Sequence, residues 1–111
     1  MTAKRSPRIV WTVTAEEDLW GIVEFISGGD VTAALDVLRR LREHAAVLDK
    51  FPGRGRIVPE LDQHGIRQYR ELVMAPWRII YRVDGAIVCV MAVLDSRRNL
   101  EDLLLERLSR P

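Results

Sequence analysis

The chain opens with a short alternation of side chains that is typical of a strand. Over residues 8–13, one face of an extended chain would carry three bulky apolar groups. These are Ile9, Trp11 and Val13. Thr14, with Glu17 three positions later, then has the spacing of a capping box. The pattern therefore predicts a first strand that passes into a helix capped by Thr14.

Two stretches with helical spacing follow. The first ends at Gly28 and Gly29, where glycine can form a left-handed cap, and the second begins after Asp30, a good N-cap residue. So short a glycine turn predicts an antiparallel αα-hairpin. The first apolar stripe is Leu19, Ile22, Val23 and Ile26. The second is Val31, Ala34, Leu35, Leu38, Leu41, Ala45 and Leu48.

After a loop, three more strands are predicted at about residues 67–73, 77–83 and 86–95. Ala75-Pro76 and Asp84-Gly85 are the turns between them, and Asp-Gly is a strong signal for a two-residue hairpin. The last of these strands is apolar on both faces. We therefore expect it to lie inside the sheet and to be covered on both sides.

A last helix capped by Asn99 completes the order β-α-α-β-β-β-α, an α+β fold. Its apolar stripe is Leu100, Leu103, Leu104 and Leu108. The αα-hairpin can cover one face of the antiparallel three-stranded meander, and we expect the other face to remain partly uncovered. One domain accounts for residues 1–111, with residues 1–7 as a flexible N-terminus.

The composition narrows the class of protein. The chain has 111 residues, of which 48% are hydrophobic and 30% charged, as in globular proteins. No apolar run is long enough for a membrane span, so we expect no membrane partner. Cys89, the single cysteine, predicts a buried thiol and a cytoplasmic location. His44 and His64 have no second ligand near them in sequence, so we expect no metal and no other cofactor.

Charge is unevenly distributed, although its net value of +1 is too small to indicate a nucleic-acid-binding protein. Residues 14–50 hold eight acids and four bases, whereas residues 51–98 hold eight bases and five acids. Fifteen of the 17 basic residues are arginine, whose guanidinium suits phosphate and carboxylate partners.

Arg78 and Arg82 share one face of a predicted strand and Arg70 lies on its neighbour, so we expect these guanidinium groups within about 5–8 Å of one another. They either pair with acids of the chain or bind an acidic segment or a phosphate backbone. The acids available for pairing are Glu60, Glu71 and Asp95.

Arg97 and Arg98 follow the last strand directly, where a rigid element could position a functional guanidinium. Alternatively, they form surface pairs with Asp95 and Glu101. Three aromatic residues have two interpretations as well, packing within the core and hairpin or an interface. They are Trp11, Trp20 and Phe25.

Four segments together resemble the RelE/ParE toxin superfamily, the plasmid-stabilisation class of type II toxin–antitoxin modules. They are Gly55-Arg56-x-Val58-Pro59-Glu60-Leu61, Tyr69-Arg70-Glu71-Leu72, Trp77-Arg78-Ile79-Ile80-Tyr81-Arg82-Val83 and Val93-Leu94-Asp95-x-Arg97-Arg98. The likeness runs from about Trp11 to Leu108. Val-Pro-Glu-Leu and Tyr-Arg-Glu-Leu bring the chain closer to ParE-like members.

The resemblance implies a toxin that inhibits a bacterial target such as DNA gyrase and has no catalytic residue. Arg97 and Arg98 would contact this target. A cognate antitoxin would hold the toxin inactive in a hetero-oligomer, its C-terminal segment folding over the open sheet face and over the apolar surface of the first helix, which Trp20 and Phe25 widen. The candidate antitoxin contacts are Arg70, Arg78, Arg82, Trp20 and Phe25.

Two alternatives remain. A RelE-like ribosome-dependent mRNA endoribonuclease would need positive charge and a proton-transfer group. Arg97, Arg98 and Arg70 could supply the charge, but the last helix holds no tyrosine or histidine. The other alternative is an inactive, toxin-derived interaction module.

Overall fold

A computed structural model describes residues 8–109, which form a five-stranded sheet with helices on both faces. The strands are β1 (Ile9–Trp11), β2 (Arg56–Ile57), β3 (Tyr69–Met74), β4 (Trp77–Asp84) and β5 (Ile87–Asp95). The helices are α1 (Val13–Ser27), α2 (Val31–Ala46), α3 (Pro59–Asp62) and α4 (Leu100–Leu108), and Val47–Asp49 forms a 3-10 turn. The predicted order is confirmed, with β2 and α3 added in the predicted loop. The predictions for residues 1–7 and for the Leu108 side chain lie outside the described part.

The strand order is β1-β5-β4-β3-β2, with β1 parallel to β5 and the other pairs antiparallel. The apolar β5 thus lies inside the sheet, as its sequence predicts, but it is not covered on both sides along its whole length, because Ile87 is exposed and Cys89 is partly exposed. The Asp84-Gly85 hairpin is also present. Gly85 has a φ of 61°, a left-handed conformation that glycine adopts without steric cost.

The start of α1 differs from the prediction. Only Ile9–Trp11 pairs with β5, and the hydroxyl of Thr12 accepts a hydrogen bond from the Ala15 amide at 3.1 Å. Thr12 is therefore the N-cap, and the Thr14 capping box is wrong. Val13, which the alternation placed on the buried strand face, lies in the first helical turn and is 75% exposed.

The helical hairpin is present, although two of its details were wrong. Gly28 ends α1 with a φ of −60°, so its predicted left-handed cap does not form. Asp30 does cap α2, accepting from the Ala33 amide at 3.0 Å. Val31 and Leu35 are mostly exposed because the apolar arc of α2 is wider than the face that it buries.

Two apolar cores lie on opposite faces of the sheet. The first, under α1 and α2, includes Leu19, Leu41, Ile79, Tyr81, Val90 and Val93. The second, under α3 and α4, includes Val58, Leu61, Tyr69, Ile80, Leu94 and Leu104. β5 carries a bulge: Ile80 pairs with Ala92 and Tyr81 with Val90, which leaves Met91 without a partner across the ladder.

The second face is only partly covered, as predicted. Beyond α3 and α4, side chains from three neighbouring strands remain at least partly exposed. We define the open patch as Val10, Arg82, Ile87 and Cys89, and the exposed Asp84, which pairs with Ile87 in register, adjoins it. The prediction that Cys89 is buried was wrong, because Cys89 pairs with Val10 and Arg82 in this uncovered part of the sheet.

Candidate functional site

A groove of about 460 Å³ lies between α1, the end of β5 and α4. We call it the α1–α4 groove. Its apolar wall includes Gly21, Ile22, Phe25, Ile26, Trp77 and Val93. Its charged wall consists of Glu17, Asp18, Asp95, Arg97, Arg98 and Arg107. Arg97 and Arg98, the predicted target contacts, thus share one groove with Phe25, a predicted antitoxin contact.

Arg97 pairs with Asp95, as expected if it forms a surface pair. Its Nε and Nη2 donate to the two Asp95 carboxylate oxygens at 3.0 and 2.6 Å, and its amide donates at 2.8 Å. These hydrogen bonds lower the pKa of Asp95 to about 2. The Arg97 side chain nevertheless stays 77% exposed, so its remaining N–H groups can reach a partner.

Arg98 has no such anchor. It is exposed, and its side chain makes no hydrogen bond or ion pair with any residue in the described range 8–109. The expected pairing with Glu101 does not form, because Glu101 lies 2.6 Å from His64. Arg98 is therefore a guanidinium available for an external acceptor.

Sequence reasoning missed Arg107 and Asp18, which join α4 to α1. The Nη1 of Arg107 donates to an Asp18 oxygen at 2.7 Å, and the same oxygen accepts the Val93 amide of β5 at 3.0 Å. The two side chains are 89 positions apart. No local pattern could have revealed this pair.

The charges of the groove balance. Among the residues that the structure describes, three acids and three arginines line it, and no histidine, tyrosine, cysteine or lysine does. Of these six charged groups only Arg98 and Glu17 have no side-chain hydrogen bond or ion pair among the described residues, although the charge of Arg98 also helps to lower the pKa of Asp95. The groove therefore presents one charge of each sign without a hydrogen-bonded partner, beside an apolar wall.

Arg78, a predicted antitoxin contact, is only 6% exposed and belongs to an internal network. It donates to both oxygens of Glu60 at 2.7 and 2.6 Å and to Glu71 at 2.6 Å. Arg56 donates to the other Glu71 oxygen at 2.6 Å. The internal interpretation holds for Arg78, and its prediction as an exposed contact is corrected because the fold buries and neutralises it.

Arg70 does not lie near Arg78 and Arg82, so the expected cluster of three was wrong. It pairs in register with Tyr81 and therefore points to the opposite sheet face, where its Nη1 donates to the Gly55 carbonyl at 2.7 Å. Tyr81 is four positions along β4 from Trp77, the partner of Asp95. At roughly 3.3 Å per residue, Arg70 lies more than 10 Å from the Arg97 corner.

Arg82 is different, because its Nε is buried and has no hydrogen-bond partner within the described chain. Its closest acid, Asp84, is 4.0 Å from its Nη2. Arg82 lies in the open patch, beside Cys89. This buried donor without an acceptor leaves the patch incomplete.

The aromatic residues fall into two groups. Trp11 packs against the first core, with the Arg42 guanidinium 4.8 Å from its ring centroid. Trp20 and Phe25 are 48% and 87% exposed, so packing does not account for Phe25.

In residues 8–109 no group of three or more histidine, cysteine or acidic side chains could hold a metal ion. No described helix has the length and apolar character needed to cross a bilayer.

Comparisons with known proteins agree with this architecture. A family model described as "ParE toxin of type II toxin-antitoxin system, parDE" matches residues 9–100. A solved structure titled "Chromosomal ParDE TA system from P. aeruginosa" contains a chain 20% identical to this one, with a TM-score of 0.65. The match covers 80% of this chain and 95% of that one and supports the RelE/ParE-like fold. No curated protein matches.

Proposed function

The chain belongs to the ParE toxin family of type II toxin–antitoxin systems, and from this premise we propose that it arrests bacterial growth by inhibiting a protein target such as DNA gyrase. The α1–α4 groove is the contact surface, with Arg97 and Arg98 as target contacts. A cognate antitoxin keeps the toxin inactive in a cytoplasmic complex.

The balanced charge of the groove is the main observation in favour of a protein target. A phosphate backbone favours a surface with excess positive charge, whereas here three arginines face three acids. Cleavage of RNA also needs a proton-transfer group, and two of the three acids already accept hydrogen bonds from arginine. Arg70, moreover, lies apart from Arg97 and Arg98. These features favour a protein-binding toxin over a RelE-like nuclease.

For the antitoxin, the open patch offers the best surface. The buried Nε of Arg82 lacks an acceptor, and exposed Val10 and Ile87 flank it. A segment with one acidic and several apolar side chains would supply the acceptor and bury the apolar groups. The exposed Trp20 offers a second contact, on the helical hairpin.

Expression of the toxin alone in a bacterium tests this function. We expect growth arrest with a DNA-damage response and intact messages, and we expect rescue when the cognate antitoxin is co-expressed. Messages cut at codon positions would instead indicate a ribosome-dependent nuclease. Unimpaired growth would leave only the inactive interaction module.

Arg98→Ala sharpens the test, because it removes a side chain without internal partners and should leave stability unchanged. Loss of a charge-assisted hydrogen bond should weaken toxicity about ten- to hundred-fold. Arg54→Ala is the matched control, since Arg54 is also exposed and its side chain has no partner in the described part of the chain. Full toxicity of a folded Arg98→Ala variant would reject the target contact.

A further inference from the structure

Gly21 lies in the middle of α1, on the wall of the α1–α4 groove. Glycine is one of the poorest residues for a helix interior, so its presence there calls for a reason. The packing of the chain gives none, because a Cβ added at Gly21 would have no atom within 4 Å apart from its chain neighbours and the backbone of α1 itself. At Gly55, by contrast, an added Cβ would lie 2.5 Å from the Glu71 carbonyl oxygen. The bare backbone at Gly21 is free for close approach by another molecule.

Phe25, one turn further along α1, adds a second observation. Its 87% exposure is the highest among the large hydrophobic side chains that the structure describes. The partly buried Trp77 lines the same groove. An apolar side chain that entered between these rings would cover Phe25 and lie against the bare backbone of Gly21.

The charged side chains of the groove indicate which charges a molecule bound there would carry. Arg98 and Glu17 are its two unpaired charges and have opposite signs. A segment that carries both an acid and a base can satisfy both, whereas a polyanion would place negative charge beside Glu17, Asp18 and Asp95.

The occupant is more compatible with a helix than with a strand. The part of β5 that follows its pairing with β1 has an open edge. An added strand could bind there only to free backbone N–H and C=O groups. There the Val93 amide already donates to Asp18 at 3.0 Å, and the Met91 carbonyl accepts the Thr12 hydroxyl at 3.4 Å. A helix brings no unpaired backbone of its own and binds through side chains that project into a groove.

We propose that the α1–α4 groove binds an amphipathic helix of the target protein, with Gly21 as the point of closest approach. A bulky apolar side chain of that helix lies between Phe25 and Trp77, an acid pairs with Arg98 and a base with Glu17. This inference rests on the proposed function and specifies the kind of surface that the toxin recognises.

Substitutions of Gly21 separate binding from folding. Gly21→Ala should raise the Tm by about 2–6 °C, because alanine is the better helix former and its methyl group meets open space. The same change should weaken growth arrest a few-fold by holding the partner away. Gly21→Trp fills the groove and should weaken arrest about hundred-fold or more. Gly53→Ala, at a loop glycine with equally open surroundings, is the control and should not change toxicity.

The experiment measures growth arrest by each variant expressed alone, together with circular dichroism and the Tm of the purified protein. A more stable but less toxic Gly21→Ala protein would support the inference, since misfolding cannot produce that combination. Full arrest by a folded Gly21→Trp protein would overturn the inference alone, because wild-type arrest would still support the proposed function. No arrest by wild type would overturn both.

Two further outcomes identify a different occupant, and each overturns the inference. Cleavage of messages by wild type, lost in Gly21→Trp, would assign the groove to nucleic acid. A wild-type dimer in sedimentation that dissociates in Gly21→Trp, with arrest unchanged, would assign it to a second copy of the chain.

Discussion

Tyr81 ties the arginine-containing loop before β2 to the sheet. Its hydroxyl is buried, donates to the Pro52 carbonyl at 2.8 Å and accepts the Gly55 amide at 2.9 Å. Burial is the main cause of the raised pKa of this hydroxyl. Together with Arg70, which donates to the Gly55 carbonyl, Tyr81 thus fixes the loop, although the sequence placed Tyr81 in the core only for its apolar ring.

Replacing Tyr81 by phenylalanine should lower the free energy of unfolding by about 1–3 kcal/mol, because the Gly55 amide loses its acceptor. Tyr69→Phe is the control, since the Tyr69 hydroxyl makes no hydrogen bond with the described residues. Urea unfolding followed by circular dichroism measures both. Equal stability of the two variants would show that the hydroxyl of Tyr81 contributes nothing.

Gly55→Ala should also destabilise the protein, by about 1–3 kcal/mol. The new methyl group would lie 2.5 Å from the Glu71 carbonyl oxygen and 2.7 Å from the Tyr81 hydroxyl, so backbone and ring must move. Gly53→Ala meets no atom within 4 Å and should stay within about 0.5 kcal/mol of wild type. Thermal unfolding of both proteins would test this steric explanation, which an unaltered Gly55→Ala variant would contradict.

The carboxylates paired with arginine make stability depend on pH. The hydrogen bond from Arg78 is the main cause of the lowered pKa of Glu60, and Arg97 lowers that of Asp95 from 3.8 to about 2. A lowered folded-state pKa contributes stability that is present above the ordinary pKa and is lost as pH falls through the folded value. Stability should therefore be level down to about pH 4.5 and then decline towards pH 2.

Denaturant unfolding between pH 2 and pH 7 measures this decline. Glu60→Gln should be less stable than wild type at pH 7, and the difference should shrink as the pH falls below 4. A difference that stays constant down to pH 2 would show that the ionised Glu60 carboxylate is not the stabilising form.

At the scale of elements, three of the four segments that resemble the RelE/ParE superfamily meet in one network of ion pairs. Glu60 of α3, Glu71 of β3 and Arg78 of β4 come from separate segments, and Arg56 of β2 completes the set. Much of the resemblance thus consists of residues that hold the sheet to α3. This explains how a sequence can match a toxin family while revealing little about its target.

Glu71→Ala should destabilise the fold by about 3–5 kcal/mol, since Glu71 is 1% exposed and its loss leaves Arg78 buried with one partner fewer. Glu43→Ala removes a surface pair with Arg39 and should change stability by less than about 1 kcal/mol. Equilibrium unfolding in urea compares the two. Similar values for both variants would mean that the network adds no more than an exposed pair.

The elements were predictable wherever periodicity runs for several turns or alternations, as in α1, α2 and β5. β2 and α3 were missed because two and four residues are too few to show a period. Thr12 and Thr14 are the same type of residue, so the local sequence does not determine which hydroxyl caps α1. The pairing of β1 with the distant β5 makes Thr12 the N-cap. The site was half predictable. Arg97 and Arg98 follow a recognisable strand, but Arg107, Asp18 and Gly21 reach the groove through tertiary packing alone.

At the scale of the whole molecule, the groove and the open patch occupy opposite ends of β5. Asp95 lines the groove, whereas Ile87 belongs to the patch, eight residues or roughly 26 Å away along the strand. We therefore expect that the proposed target contact and the proposed antitoxin contact can be altered separately.

Arg82→Glu should leave the toxin active but prevent its rescue. The change replaces the guanidinium that we propose to bind an antitoxin carboxylate with a second carboxylate, which would repel it. Co-expression with the cognate antitoxin measures rescue, and calorimetry should show affinity reduced about ten-fold or more. Arg98→Ala should behave in the opposite way, losing toxicity but keeping antitoxin affinity. Normal rescue of Arg82→Glu would exclude the open patch as an antitoxin contact.

Supercoiling by purified bacterial DNA gyrase, titrated with the isolated toxin, tests the central claim most directly. We expect wild type and Arg54→Ala to inhibit at similar concentrations, and Arg98→Ala to need about ten to a hundred times more. Gyrase that stays fully active in excess wild-type toxin, or that Arg98→Ala inhibits as well as wild type does, would contradict the assignment of the α1–α4 groove as the gyrase contact.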